Sequence, residues 1–176
     1  MNEWLPAAVV ACSALTGLAI FCIAEHRQTL RTALNLGAGV ASLVCVGFLL
    51  AGVANGETFE TRFALLPGAD LVLHADALSL LFVTLSVSLW LVTTLYSVGY
   101  LEHGSHRGRF FGFFSLCVAC TSGVALAGNL LTLLVFYELL TLATYPLVVH
   151  RGTRDALAAG RIYLAYTLGG GLVLLV

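Results

Sequence analysis

Glu138 stands inside NLLTLLVFYELLTLATYPLVVH, residues 129–150, a run otherwise suited to the interior of a bilayer. A carboxylate near mid-membrane costs on the order of 3 kcal/mol on insertion scales, and no apolar gain offsets it. The chemistry that justifies such a residue is the taking up and giving back of a proton. Thr141 at i+3 and Tyr145 at i+7 share its helix face, where each can hydrogen-bond a carboxylate or a water. Pro146 withholds a hydrogen bond from the carbonyl of Leu142 and so can kink the helix there. His150, at the end of the run, changes charge near neutral pH and suits a point of proton access. Glu138 is therefore the main candidate for a proton or ion pathway, with Thr141, Tyr145 and His150 as further candidates. The alternatives are packing of Glu138 against a neighbouring helix and an interfacial cap for His150 beside Arg151.

Other chemistry is sparse. Cys117 and Cys120 form a lone CxxC, with no second pair or nearby histidine to complete a metal site, so they read as small buried hydrophobes. The five cysteines all lie in apolar runs and define no disulfide framework. His103 and His106 in EHGSHRGR and His74 upstream are weaker candidates. No metal, cofactor or catalytic constellation is expected. No His, Asp or Lys joins Glu138 at membrane depth, which weighs against a membrane-embedded acid–base enzyme.

The elements that must hold Glu138 follow from composition. Of 176 residues, 60% are hydrophobic and 10% charged, with a mean hydropathy of +0.99. A soluble domain carries about 25% charge, so this is an all-α integral membrane protein. No basic face exists for a nucleic acid. Six apolar segments, each near the ~20 residues a spanning helix needs, cover 5–24, 33–54, 77–101, 110–127, 130–149 and 156–176. The leading MNEW carries an acid rather than basic residues, which argues against a cleaved signal peptide.

Seven of the eight basic residues (all arginine) fall in alternate loops: Arg27 and Arg31, Arg107 and Arg109, then Arg151, Arg154 and Arg161. The positive-inside rule places these loops in the cytoplasm and the N-terminus outside, in a plasma (inner) membrane. The external loop 55–75 alternates polar and apolar residues around Pro67-Gly68 and predicts a short β-hairpin. Asp76 can cap the third helix, with Ser79 in its first turn. Gly128 suits a left-handed helix end and Asn129 the next N-cap, which makes the fourth and fifth helices a close antiparallel pair. Ser115, Ala119, Gly123 and Ala127 supply small residues along that contact, and Phe110, Phe111, Phe113 and Phe114 read as lipid-facing anchors. Gly169, Gly170 and Gly171 fit either a flexible break or tight helix packing.

The successive motifs DALSLLF, LYSVGYL, RFFGFF, ALAGNLLTLLVFYELLTLATYPLVVHRGT and ALAAGRIYL resemble the antiporter-like subunits of respiratory complex I and its relatives. The nearest likeness is to the D subunit of Mrp-type Na+/H+ antiporters. It is good from Asp76 to Tyr166 and loose over the first two spans. The resemblance implies a fold of about fourteen helices with inverted repeats and a proton path near the midplane. Glu138 matches the family's glutamate of the fifth helix, which pairs with a lysine two helices later. This chain contains no lysine. On that reading, residues 1–109 form an N-terminal three-helix segment and 110–176 the start of the first antiporter repeat, cut short.

The expected function is a subunit of a multisubunit membrane complex that translocates H+, or exchanges Na+ for H+. Its partners would be the bilayer and other membrane subunits, including a segment with the missing lysines. A non-conducting scaffold piece is the alternative, as is a component of a proton-pumping NADH-quinone oxidoreductase or hydrogenase-type assembly. The chain itself is not expected to be an enzyme.

Overall fold

The computed structural model of the chain describes residues 3–24, 27–66, 69–100, 107–150 and 152–173. These form α1 (Leu5–Cys22), α2 (Gln28–Ala54), a hairpin of β1 (Phe59–Leu66) and β2 (Ala69–Ala75), α3 (Ala77–Tyr100), α4 (Arg107–Ala125), α5 (Leu130–Val148) and α6 (Arg154–Val173). The expected Pro67-Gly68 turn and the histidines 103 and 106 lie outside the described residues. Five of the helices, α1 to α5, are long and apolar enough to cross a membrane. The sixth is present as a helix but is not among those five. Arg154, Asp155 and Arg161 all fall early in it, and charge there dilutes its apolar length.

The bundle exposes many apolar side chains, as expected where lipid is the solvent, and buries several polar ones beside its apolar core. Val44, Phe48, Leu81, Leu85, Leu89 and Val92 are exposed. Asn35 is fully buried between helices: its Oδ1 accepts from Trp90 Nε1 of α3 at 2.9 Å and from the Ser115 hydroxyl of α4 at 3.0 Å. Two helices thereby read one amide on α2. Packing around this node joins Val46 and Leu49 of α2, Val83 and Val87 of α3 and Val118 of α4.

Two expectations from composition are corrected here. The second apolar segment starts at Ala33, but α2 starts at Gln28 and carries Arg31 with it into the bundle. Arg31 is not a solvated loop residue: it is 2% exposed, with its guanidinium 5.4 Å from the centre of the Phe111 ring. Phe111, in turn, is buried rather than lipid-facing, with its ring against the Arg31 guanidinium. Phe113 meets Phe21 of α1 edge-on at 4.9 Å. The stripe of small residues foresaw a close α4–α5 pair, but α4 packs as tightly on α1. A Cβ at Gly17 would sit 2.9 Å from the Gly112 carbonyl oxygen.

The hairpin is antiparallel, with Phe59 opposite Ala75 and Phe63 opposite Leu71. Phe59, Leu73 and Ala75 are buried on its bundle side. The Ser79 N–H donates to Asp76 Oδ1 at 2.7 Å and the Asp76 N–H to the Ser79 hydroxyl at 2.8 Å, a reciprocal cap that starts α3.

Candidate functional site

The helix that carries Glu138 is fixed first at its start. Asn129 is its N-cap: the extended backbone lets Oδ1 accept from the Thr132 N–H at 2.7 Å and from the Thr132 hydroxyl at 2.6 Å. The same Thr132 oxygen accepts the Val72 N–H of β2 at 2.7 Å, and Asn129 Nδ2 donates to the Asp70 carbonyl at 2.8 Å. Backbone bonds complete the seam, His74 N–H to the Leu126 carbonyl and Gly128 N–H to the Val72 carbonyl. The hairpin therefore joins the α4–α5 turn through a single antiparallel bridge between Leu73 and Ala127.

This seam corrects the expected role of Gly128. Its backbone is not left-handed; among the described glycines only Gly56 and Gly152 have positive φ. Glycine is needed for space, since a Cβ would lie 2.8 Å from Val72 Cγ1. Further along, Gly123 of α4 receives the Phe136 ring of α5. The expected close pair of α4 and α5 is present, and Cys117 and Cys120 pack there with Ala143.

Glu138 lies mid-helix and half-buried, on the side of α5 that meets α6. A Cβ built on Gly171 of α6 would land on Glu138 Oε1 and come within 3.0 Å of its Cδ. Its other oxygen, Oε2, is enclosed without a hydrogen-bond partner among the described residues. Tyr145 faces the same helix, with its Cε2 2.9 Å from where a Gly160 Cβ would stand. Thr141, between them in spacing, is buried. The antiparallel α5–α6 contact thus runs from Glu138 against Gly171 to Tyr145 against Gly160.

Within it lies a pair that sequence reasoning missed. The hydroxyls of Thr144 and Tyr163 share a hydrogen bond of 2.6 Å across the two helices. Nothing local marks either residue; only the antiparallel register of α5 and α6 brings them together. His150 sits apart, beyond the end of α5, with its ring edge-on to Phe110 at 6.0 Å. Twelve residues of helical rise put it about 18 Å from Glu138 along the axis. The two titratable groups do not touch.

The arrangement sets the Glu138 carboxyl and the Thr144–Tyr163 hydroxyl pair along one α5–α6 contact. Among the described residues no ion pair reaches Glu138; on the hairpin, Arg62 pairs with Glu60, and His74 Nδ1 lies 3.7 Å from Glu60. Nor does any group of three or more His, Cys, Asp or Glu side chains come together among them.

Fold and site define a multi-pass helical membrane protein with an ionisable carboxyl inside its helix bundle. No protein-family model matches the chain. It is 31% identical over 166 residues to the probable A/B component of a K(+)/H(+) antiporter of Rhizobium meliloti, covering 90% of this chain and 16% of that protein. It is 30% identical over 130 residues to the A1 component of a Na(+)/H(+) antiporter of Staphylococcus haemolyticus, covering 72% and 16%. It is 25% identical over 164 residues to the chloroplastic NAD(P)H-quinone oxidoreductase subunit 5 of Anthoceros angustus, covering 88% and 22%.

Among solved structures, a chain of the Mrp complex from Dietzia sp. DQ12-45-1b superposes with a TM-score of 0.67 at 26% identity, covering 97% of this chain and 18% of that one. A chain of the membrane-bound sulfane sulfur reductase, an archaeal respiratory membrane complex, shares the fold with a TM-score of 0.77 at 20% identity, covering 95% and 26%. The chain is thus homologous to a portion of the antiporter-like membrane subunits. It spans only about a fifth of the length of these curated relatives. The antiporter relatives named here are A-type components, whereas the motifs pointed to the D-type one.

Proposed function

We propose that this chain is part of an ion-translocating subunit of a multisubunit membrane complex, and that Glu138 is its intramembrane proton relay. The observation that carries the reading is a carboxyl half-buried in mid-helix, pressed on a neighbouring helix and left with one oxygen unpartnered among the described residues. A purely structural carboxyl in lipid would recover its insertion cost through saturated hydrogen bonds. The names of the relatives support the same reading: two are antiporter components and one belongs to a quinone oxidoreductase. H+ is the proposed ion, with Na+ or K+ exchanged against it.

Thr141, Tyr145 and the Thr144–Tyr163 pair would order water between Glu138 and the aqueous side, where His150 collects protons. A cationic side chain supplied by the rest of the complex, the lysine of the family pattern, would set the charge on Glu138. Its approach favours the carboxylate and releases the proton; its withdrawal favours the acid. Carrying one charge against 100 mV takes about 2.3 kcal/mol. The arginine-bearing ends of α2, α4 and α6 are proposed to be cytoplasmic, and residues 110–176 to open the first antiporter repeat. The complex would couple this step to an ion gradient or to quinone chemistry.

The test is Glu138→Gln against Glu138→Asp in the complete complex, reconstituted in vesicles at equal assembled amounts. For a relay, Gln abolishes translocation with normal assembly, and Asp keeps part of it. A scaffold predicts the opposite order, with Gln tolerated and the shorter, charged Asp more harmful. A Gln variant that translocates like wild type refutes the assignment.

A further inference from the structure

Three consecutive glycines, Gly169, Gly170 and Gly171, sit near the end of α6, and only one of them is sterically required. A Cβ at Gly169 or Gly170 meets nothing within 4 Å. At Gly171 it would overlap Glu138 Oε1 and stand 3.6 Å from Tyr137 Cε1. Gly171 is buried while Gly169 and Gly170 are exposed. Its φ is not positive, so the requirement is for space and not for an unusual backbone. The same helix contact continues with Gly160 under Tyr145 and the Thr144–Tyr163 hydrogen bond.

From this we infer that Gly171 is the positioning residue of the Glu138 carboxyl: the bare face of α6 seats the carboxyl and couples its protonation to the placement of α6. The inference rests on the relay reading of Glu138 for its functional half, while the contact itself is independent of it. One carboxyl oxygen lies against a backbone surface with no side chain of its own, and the other is enclosed without a donor among the described residues. No side chain of Gly171 stands between the carboxyl and the backbone of α6. A small shift of α6 toward α5 would compress it, and a shift away would admit water. Either changes the balance between acid and carboxylate.

The experiment uses the complete complex in vesicles and compares Gly171→Ala with Gly170→Ala at equal assembled amounts. Gly171→Ala should lower translocation about tenfold or more and move the midpoint of its pH profile by about one unit, the equivalent of a tenfold change in proton affinity. Gly170→Ala, which meets nothing within 4 Å among the described residues, should stay within about twofold of wild type. Adding Glu138→Asp to Gly171→Ala should recover part of the loss, because the shorter side chain withdraws from the new methyl. If Gly171→Ala fails to assemble, adding Glu138→Ala should restore assembly by clearing the overlap. The proposal is overturned if Gly171→Ala behaves like Gly170→Ala, or if neither second substitution rescues it. A Glu138→Gln complex that translocates normally would instead sink the relay reading and leave the assembly rescue, and hence the contact, intact.

Discussion

Thr132→Val tests whether the hairpin is sewn to the helix that carries Glu138. Thr132 is fully enclosed, and valine matches it in shape while removing the hydroxyl. Two interactions disappear: acceptance of the Val72 N–H at 2.7 Å and donation to Asn129 Oδ1 at 2.6 Å. The Asn129 oxygen keeps the Thr132 N–H, so its loss is one neutral hydrogen bond, about 0.5–1.5 kcal/mol. The Val72 N–H is stranded in a buried place, which costs about 1–3 kcal/mol. Together the seam should weaken by about 1.5–4.5 kcal/mol, or roughly tenfold to a thousandfold in its opening equilibrium at 1.4 kcal/mol per decade. Amide hydrogen exchange at Val72, measured on the full chain in lipid nanodiscs, reads that opening directly. Thr132→Ser, which keeps the hydroxyl, should retain most of the protection. Val72 exchange in Thr132→Val within twofold of wild type would refute the claim that this hydroxyl joins the two elements.

Two further outcomes are expected. In a Cys22→Ser background, Ala64→Cys on the hairpin should label with an impermeant thiol reagent in intact cells, and Thr153→Cys before α6 only after permeabilisation; the reverse pattern would overturn the orientation argued from the arginines. The Ser79 N–H first, and its hydroxyl second, hold the Asp76 carboxyl below its ordinary range. A lowered folded-state value means that the ionised cap stabilises fully above the unfolded carboxylate value near about 3.9, and that this is lost as pH falls through the lower folded value. Asp76→Asn should therefore flatten the acid limb of thermal stability while preserving the cap, and Asp76→Ala should cost about 1 kcal/mol at neutral pH. An unchanged acid limb in Asp76→Asn would show that another group sets it.

What the sequence disclosed was whatever is encoded within a few residues. Apolar run length announced the spans, alternation around residues 57–75 announced the hairpin, and Asp76 and Asn129 announced helix starts, because a cap bonds only three residues ahead. Glu138 stood out because charge in an apolar run is costly wherever its partners lie. Contacts between distant segments were the ones misread. Arg31 looked like a loop cation because its Phe111 partner belongs to another helix, and Phe111 looked lipid-facing for the same reason. Gly128 was assigned a turn conformation when a strand some 56 residues earlier imposed the need for glycine. The three glycines of α6 were indistinguishable until the side chain opposite Gly171 was in place, and Tyr163 had no local signal.

The buried amide of Asn35 also constrains the order in which this protein can be made. Its acceptor oxygen is satisfied by Trp90 and Ser115, which follow it by 55 and 80 residues. At about 5–20 residues per second of synthesis, α2 waits on the order of 4–16 s for the second of these to emerge. During that interval an apolar helix with an amide and, one turn away, the Arg31 cation must sit in or beside the membrane without its eventual neighbours. An unpaired polar group in hydrocarbon costs several kcal/mol, so α2 has reason to stay near the insertion machinery or another polar helix until α3 and α4 arrive. The polar node therefore ties the final placement of α2 to the arrival of α3 and α4, the helices that carry Trp90 and Ser115.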